Sequence, residues 1–346
     1  MKKRKFTGLL FFILVVIITS TVIVMAQNVL QHNSRVQNLQ QPINQAQTNV
    51  NYGKSAAVEF EKPLYDDKTD LDYLTVSELS AYKNLQICLL FGKTDIDAKK
   101  YVTLANALKN KLVLLHETSD VNELSIDNNS SQYIYINSGD IVRGGKQDRT
   151  IQYDVILPPK KKNTNLASFC VEHGRWTNRG NESAGSFATS NNALSSKELK
   201  IASKYTKNQS AVWSKVDKYQ EKANTSINRT KGENNKIDVK SSVSATSLEL
   251  TLDNEEIKKL NAEYKKYFLA QLSNRSNAVG FAYFINGKLY SVDAYNNHQL
   301  FSDLFDKLLD AAIAEAISED DDKKPMKTPD KNMVVQLLKA NAKVYG

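Results

Sequence analysis

The chain has 346 residues, 46 Lys and Arg against 38 Asp and Glu, a formal charge of +8, 41% hydrophobic residues, two cysteines and four histidines. That length supports a sizeable core, as one large unit or two small ones. Two cysteines exclude a disulfide framework, neither cysteines nor histidines stand at zinc spacing, and no recognised motif or continuous basic helix points to nucleic acid. No metal and no cofactor is expected.

Lys2, Lys3, Arg4 and Lys5 precede an uncharged stretch from Phe6 to Ser34, apolar from Leu9 to Ala26 apart from Thr19, Ser20 and Thr21. Basic residues before an apolar run orient it with the N-terminus in the cytoplasm. Val24-Met25-Ala26 has the small-residue character of a signal-peptidase site, with cleavage before Gln27. The run is long for a signal peptide and just long enough to span a bilayer. Residues 1–26 therefore read as a cleaved signal or as a single-pass membrane anchor through residues 6–26. Both readings export the remainder, as a secreted, periplasmic or cell-surface protein, or as one held by an N-terminal transmembrane helix. Residues 27–56, rich in Gln and Asn, read as a tether, and residues 57–346 as a single α+β domain.

Within that domain, Leu85–Phe91 reads as a buried strand, Asp95–Asn110 as a helix capped by Asp95, and Leu112–His116 as a second strand. Tyr133–Ile136 and Thr150–Leu157 are further strands, and Leu166–Val171 returns after a polar loop at 158–165. Residues 177–195 read as a long loop. Ser195-Ser-Lys-Glu198 is a capping box opening a helix to about Lys222, followed by a polar, flexible stretch at 223–246. Asp253-Asn-Glu-Glu256 caps another helix, and Asn286-Gly287 between apolar strands predicts a hairpin with a type I′ turn. Asp293, after that hairpin, is expected to cap the helix Leu300–Ile317, and a last helix covers Lys331–Lys343. The sum is an α+β fold with a mostly antiparallel central sheet and flanking helices. Cys88 and Cys170 both sit in apolar runs and read as small hydrophobes, with a single disulfide between them as the alternative.

Two polar blocks interrupt this pattern: Gly139-Asp-Ile-Val-Arg-Gly-Gly-Lys-Gln-Asp-Arg-Thr150 and Phe169-Cys-Val-Glu-His-Gly-Arg-Trp176. Charge beside an apolar strand marks a site mouth or a buried network, because burial of an unpaired charge is costly. With 158–165 as a hairpin loop, Leu157 faces Leu166 and Asp148 faces Arg175. The blocks then converge at one hairpin end, and an Asp148–Arg175 pair is expected. Arg143, Gly144, Gly145, Lys146, Gln147, Asp148, Arg149, Glu172, Arg175 and Trp176 are the candidate binding residues for a polar or anionic ligand.

A phosphate loop fails on spacing: Gly139 to Gly145 is one residue too long, and Gln147 stands where a Ser or Thr would hold magnesium. For catalysis the candidates are Glu172, His173 and Asp148, since histidine titrates near neutrality and a carboxylate can orient it. Alternation in an extended strand, however, puts Glu172 and His173 on opposite faces. Three readings stay open: a ligand pocket, a hydrolase-like centre using Glu172 or His173, and a mutually satisfied ion-pair network in a structural or partner-binding domain. Gln209 and Trp213, one helical turn apart, could cover such a pocket.

Gly144–Thr150, the strand and Pro-Pro turn after it, Phe169–Trp176, the Gln209…Trp213 helix and the Gly280–Asp293 hairpin with Phe301 following resemble the ARG and rhodanese-phosphatase-superfamily-associated protein domain family, over roughly residues 70–315. The resemblance brings no assigned activity, so no catalytic residue comes with it. It implies that Gly144 to Arg149, Glu172, Gly174, Arg175 and Trp176 belong to one shared feature.

Overall fold

Alternating and continuously apolar runs become strands, and apolar residues recurring at three and four become helices. The computed structural model describes residues 15–17, 74–92, 99–118, 120–175, 187–189, 194–231, 236–295, 297–320 and 328–345. The first half holds β1 (Val15–Ile17), β2 (Thr75–Val76), β3 (Ser80–Tyr82), β4 (Leu85–Phe91), β5 (Tyr101–Thr103), α1 (Leu104–Lys109), β6 (Val113–Glu117), β7 (Glu123–Asn128) and β8 (Tyr133–Ile136). The centre holds β9 (Ile141–Gly144), β10 (Arg149–Ile151), β11 (Val155–Leu157), β12 (Thr164–Cys170) and β13 (Phe187–Thr189). Then follow α2 (Lys197–Ile201), α3 (Gln209–Lys231), α4 (Leu248–Leu252), α5 (Glu255–Gln271), β14 (Ala278–Ile285), β15 (Lys288–Ala294), α6 (His298–Ser318) and α7 (Asn332–Tyr345).

The fold is α+β, with its strands divided among three sheets instead of one. The first runs β1-β15-β14-β4-β2, with β3 also on β4. All eight residues of β14 are buried, as expected of a central strand covered on both faces. Asn286 and Gly287 take φ of 52° and 74°, the double positive φ that a type I′ turn requires. α6 covers this sheet with Leu300, Leu304, Phe305 and Leu308, and α3 and α5 pack beside it in the main core. The second sheet runs β13-β9-β10-β12-β7-β6, and the third is β11-β8-β5, whose β5–β8 pair is parallel.

Several expectations change. Thr150–Leu157 is not one strand: β10 pairs with β9 and β12, whereas β11 pairs with β8. The break at Gln152–Asp154 has a polar cause, since Gln152 Nε2 donates to Ser203 O at 2.6 Å and Tyr135 and Ser138 both donate to Asp154 Oδ1. Leu157 accordingly faces Ile134, Leu166 faces Leu124, and Arg149 faces Cys170. The helix expected over Asp95–Asn110 is α1 alone, capped by Thr103, with Tyr101–Thr103 extended and residues 93–98 outside the described residues. The expected 195–222 helix is two helices, separated by a π-turn at Ala202–Thr206 and by Lys207 at φ 49°.

The stretch read as flexible is fastened where it is described: Asn228 exchanges two hydrogen bonds with Ile237, and Asn224 accepts from Val239 N. Asn254, within the expected capping segment Asp253–Glu256, caps α5, and Asn297 caps α6 in place of Asp293. Cys88 and Cys170 are both buried and free. Among the described residues no helix is long and apolar enough to cross a membrane. Of the apolar segment 6–26 only Val15–Ile17 is described, extended along β15 with Val16 opposite Val292. The tether at 27–56 lies outside the described residues.

Candidate functional site at the β9–β10 turn

The first block folds back on itself. Val142 pairs with Arg149 and Ile141 with Thr150, so Arg143–Asp148 makes the connecting turn. Gly145 sits at φ 56°, and a Cβ there would collide with the Glu117 carboxylate and the Phe187 ring. Those neighbours end β6 and begin β13, the two edges of the second sheet, so the sheet curls until its edges meet at this turn. Asp148 closes the turn: Oδ1 accepts from Gly144 N at 3.1 Å and Oδ2 from the Ser247 hydroxyl at 3.3 Å. Glu117 grips it from outside, accepting from Lys146 N at 2.8 Å.

The second block leaves β12 beside this turn. Val171 N donates to Asp148 O at 3.0 Å. The Gln209 amide bonds both the N–H and the C=O of Cys170, at 2.9 and 2.8 Å, and so extends β12 where its strand partner ends. Thr246 does the same for His173, accepting from its N–H and donating to its C=O.

The charged groups then fall into pairs. Arg175 Nη2 lies 2.8 Å from Glu172 Oε2 and 3.7 Å from Asp148 Oδ1, and Nη1 donates to Gly145 O. The Asp148–Arg175 approach is present although the register behind it is not, because the chain bends at Gly174, φ 79°, beyond the strand. Arg149 donates to Gln147 O at 2.9 Å and reaches Glu117 at 3.4 Å, and Arg143 meets Asp253 at 3.3 Å. Gln147, Asp148 and Glu172 are fully buried, and Arg149 is 1% exposed. Lys146 is exposed, and Trp176 lies outside the described residues.

The chemistry open to this cluster is narrow. Glu172 points into the Arg175 pair and has no exposed face for a substrate. His173 turns its ring to Trp213, centroids 5.4 Å apart, with no described carboxylate at ion-pair distance. Burial pushes the Cys170 thiol up to about 11, so it stays protonated at neutral pH despite the nearby Arg149. Among the described residues no group of His, Cys, Asp and Glu is arranged to hold a metal ion. Glu117, Ser247, Thr246 and Asp253 complete the cluster, and the sequence reading missed all four as site residues. Only Glu117 left a signal, as a charge directly after the apolar strand at Leu112–His116.

The ARG and Rhodanese-Phosphatase-superfamily-associated Protein domain (ARPP-1) matches residues 73–344. The chain belongs to this family. The ARPP-1 match takes in both blocks and the β14–β15 hairpin, and it extends past the 70–315 resemblance into α7. No curated protein and no solved structure matches the chain.

The ARPP-1 domain holds a second polar network at the opposite end of β9 and β10. Asn137 Oδ1 accepts from the Tyr295 hydroxyl at 3.2 Å and shares the single Tyr135 proton with Asp154 Oδ1, and Asp140 Oδ2 accepts from Asn137 N at 2.8 Å. Lys307 lies 3.2 Å from Asp140 and Lys204 lies 3.7 Å from Asp154. Burial pushes the Tyr135 and Tyr295 hydroxyls up and the Lys204 ammonium down, while Asp154 pulls the last back. Gly139, at φ 88°, leaves room for the Lys200 chain, whose Cε would lie 2.6 Å from a Cβ.

Proposed function

We propose that this chain acts by binding, outside the cytoplasm, and that the β9–β10 turn is its buried charged support and not a catalytic centre. One observation carries this reading: Arg175 is held between the fully buried carboxylates of Glu172 and Asp148. With Arg149 on Glu117 and Arg143 on Asp253, the guanidinium groups of the cluster are matched by carboxylates of the chain itself. That leaves little attraction for an anionic ligand at this point, and it argues against Glu172 as a base. Removing one partner of a buried pair costs about 3–5 kcal/mol, because the other charge stays buried and unpaired. Arg175→Met is expected to lose that much in urea unfolding. A loss under about 1 kcal/mol, the worth of an exposed pair, would sink the support reading.

The Gln147 amide favours a second reading. The residue is fully buried, and neither its amide oxygen nor its nitrogen has a hydrogen-bond partner. A small neutral polar ligand offering a donor and an acceptor would satisfy both, and, the residue being fully buried, it would reach the amide only when the β9–β10 turn opens. Thermal-shift screening against neutral sugars, acidic sugars, phosphates and nucleotides tests it. Stabilisation by a neutral sugar that disappears in Gln147→Met supports this reading, and the same stabilisation in both proteins overturns it.

Export rests on the four basic residues before the apolar run from Leu9 to Ala26. Because Val15–Ile17 cannot lie on β15 and also inside a bilayer, export through this segment requires that strand to leave the sheet edge. Mass spectrometry of fractionated cells decides the matter. An N-terminus at Gln27, or an intact chain in the membrane fraction, supports export; an intact chain in the cytoplasmic fraction refutes it.

A further inference from the structure

We propose that the polar cleft between α2, α3 and the C-terminal end of α6 binds a small oxyanion, a phosphate or carboxylate group carried on a small molecule. The cleft stands apart from the β9–β10 turn, and its assignment does not rest on the reading of that turn.

Lys215, Lys218 and Lys222 fall on one face of α3 and line the cleft, opposite Glu198 of α2, Tyr290 of β15 and Glu315 of α6. The three ammonium groups gather on one carboxylate: Glu198 lies 3.0 Å from Lys215, 3.5 Å from Lys218 and 3.8 Å from Lys222. Lys222 also pairs with Glu319, and the Lys197 ammonium sits 4.2 Å over the Tyr290 ring. Of the three carboxylates in the cleft, Glu198 is the one all three lysines approach, and it holds the place an oxyanion would take.

Tyr219 supplies an independent observation. It lies in the wall of the same cleft, is 8% exposed, and its hydroxyl is buried without a hydrogen-bond partner. The hydroxyl is dry and unpartnered in a wall it shares with three lysines, with Glu315 as the charge that acts on it; it lacks an acceptor, and an oxyanion is the acceptor those lysines attract. The enclosed space is small, about 30 Å³, so the occupant is a small group that takes the place of the Glu198 carboxylate. Glu198 then acts as a counter-ion that the incoming anion displaces.

Calorimetric titration of the full chain with inorganic phosphate and with malonate, at an ionic strength fixed by sodium chloride, tests the assignment. Binding in the millimolar range or tighter is expected for at least one anion, and comparison of the two separates phosphate from carboxylate preference. Tyr219→Phe and Lys218→Gln are each expected to weaken binding about tenfold, the effect of one lost hydrogen bond or charge. Glu198→Gln is expected to tighten it several-fold, roughly, by releasing the lysines from their internal partner. Melting curves in chloride alone check that each variant folds. No binding of either anion in the millimolar range, undiminished binding by folded Tyr219→Phe, or weaker binding by folded Glu198→Gln would each overturn the proposal.

Discussion

At the scale of single residues the family's first block divides by role. Gly145 is fixed by space and backbone: its φ of 56° suits glycine, and Glu117 and Phe187 occupy the volume a side chain would need. Asp148 and Arg149 are fixed by their partners. Gln147 differs from both, because its main-chain oxygen accepts from Arg149 while its side-chain amide is buried and unpartnered. Such an amide costs about 1–3 kcal/mol relative to an apolar group of the same shape. Gln147→Met keeps the volume and removes the cost. Urea unfolding of the ligand-free protein is therefore expected to show a gain of about 1 kcal/mol or more. A clear loss of stability would mean that the amide is satisfied after all, and the argument from its burial would fall.

At the scale of elements the sequence is legible where the pattern is local. β4 is an apolar run broken only by Gln86, with the bounds its composition suggests, and the Asn286-Gly287 hairpin follows from the φ its turn demands. Pairing partners are not local, and there the reading failed. Ile151 and Val155 share one alternating run, yet Gln152 and Asp154 turn inward to hydrogen-bond partners, which sends the two halves to different sheets. The convergence of the two blocks was legible because each flanks the same strand pair; Glu117, Ser247 and Asp253 were not, because they arrive from elements with no pattern in common with the blocks. Gln209 shows what such a distant residue contributes. Its amide replaces a missing strand at the end of β12, so Gln209→Leu leaves the Cys170 N–H and C=O buried without partners. A loss of about 2 kcal/mol is expected, with faster hydrogen exchange at the Cys170 amide. Unchanged exchange there would show that another group takes over the bond.

At the scale of the whole molecule one buried carboxyl ties stability to pH. Glu315 lies where α6 meets α2 and the first sheet: it accepts from Lys197 N, and Tyr283 donates to its Oε2 at 3.1 Å. Lys197 and Lys200 face it from α2, Tyr219 from α3, Tyr290 from β15, and Glu319 follows on its own helix. Burial pushes its carboxyl from 4.5 up to about 7, and the bond from Lys197 N and the two lysine charges recover only part of that rise. The folded chain thus keeps a proton that the unfolded chain releases near 4.5. Between those values the native state binds more protons, so stability falls as pH rises from about 4.5 to about 7 and is level above. At roughly 1.4 kcal/mol per unit the fall amounts to about 3 kcal/mol. Glu315→Gln keeps an acceptor for Lys197 N and removes the titration. The difference between wild-type and variant unfolding free energies should therefore slope across that window and flatten outside it, with the variant favoured at the alkaline end. Parallel curves from pH 4.5 to 7 would show that Glu315 is ionised throughout and that the pairing with Lys197 and Lys200 outweighs its burial.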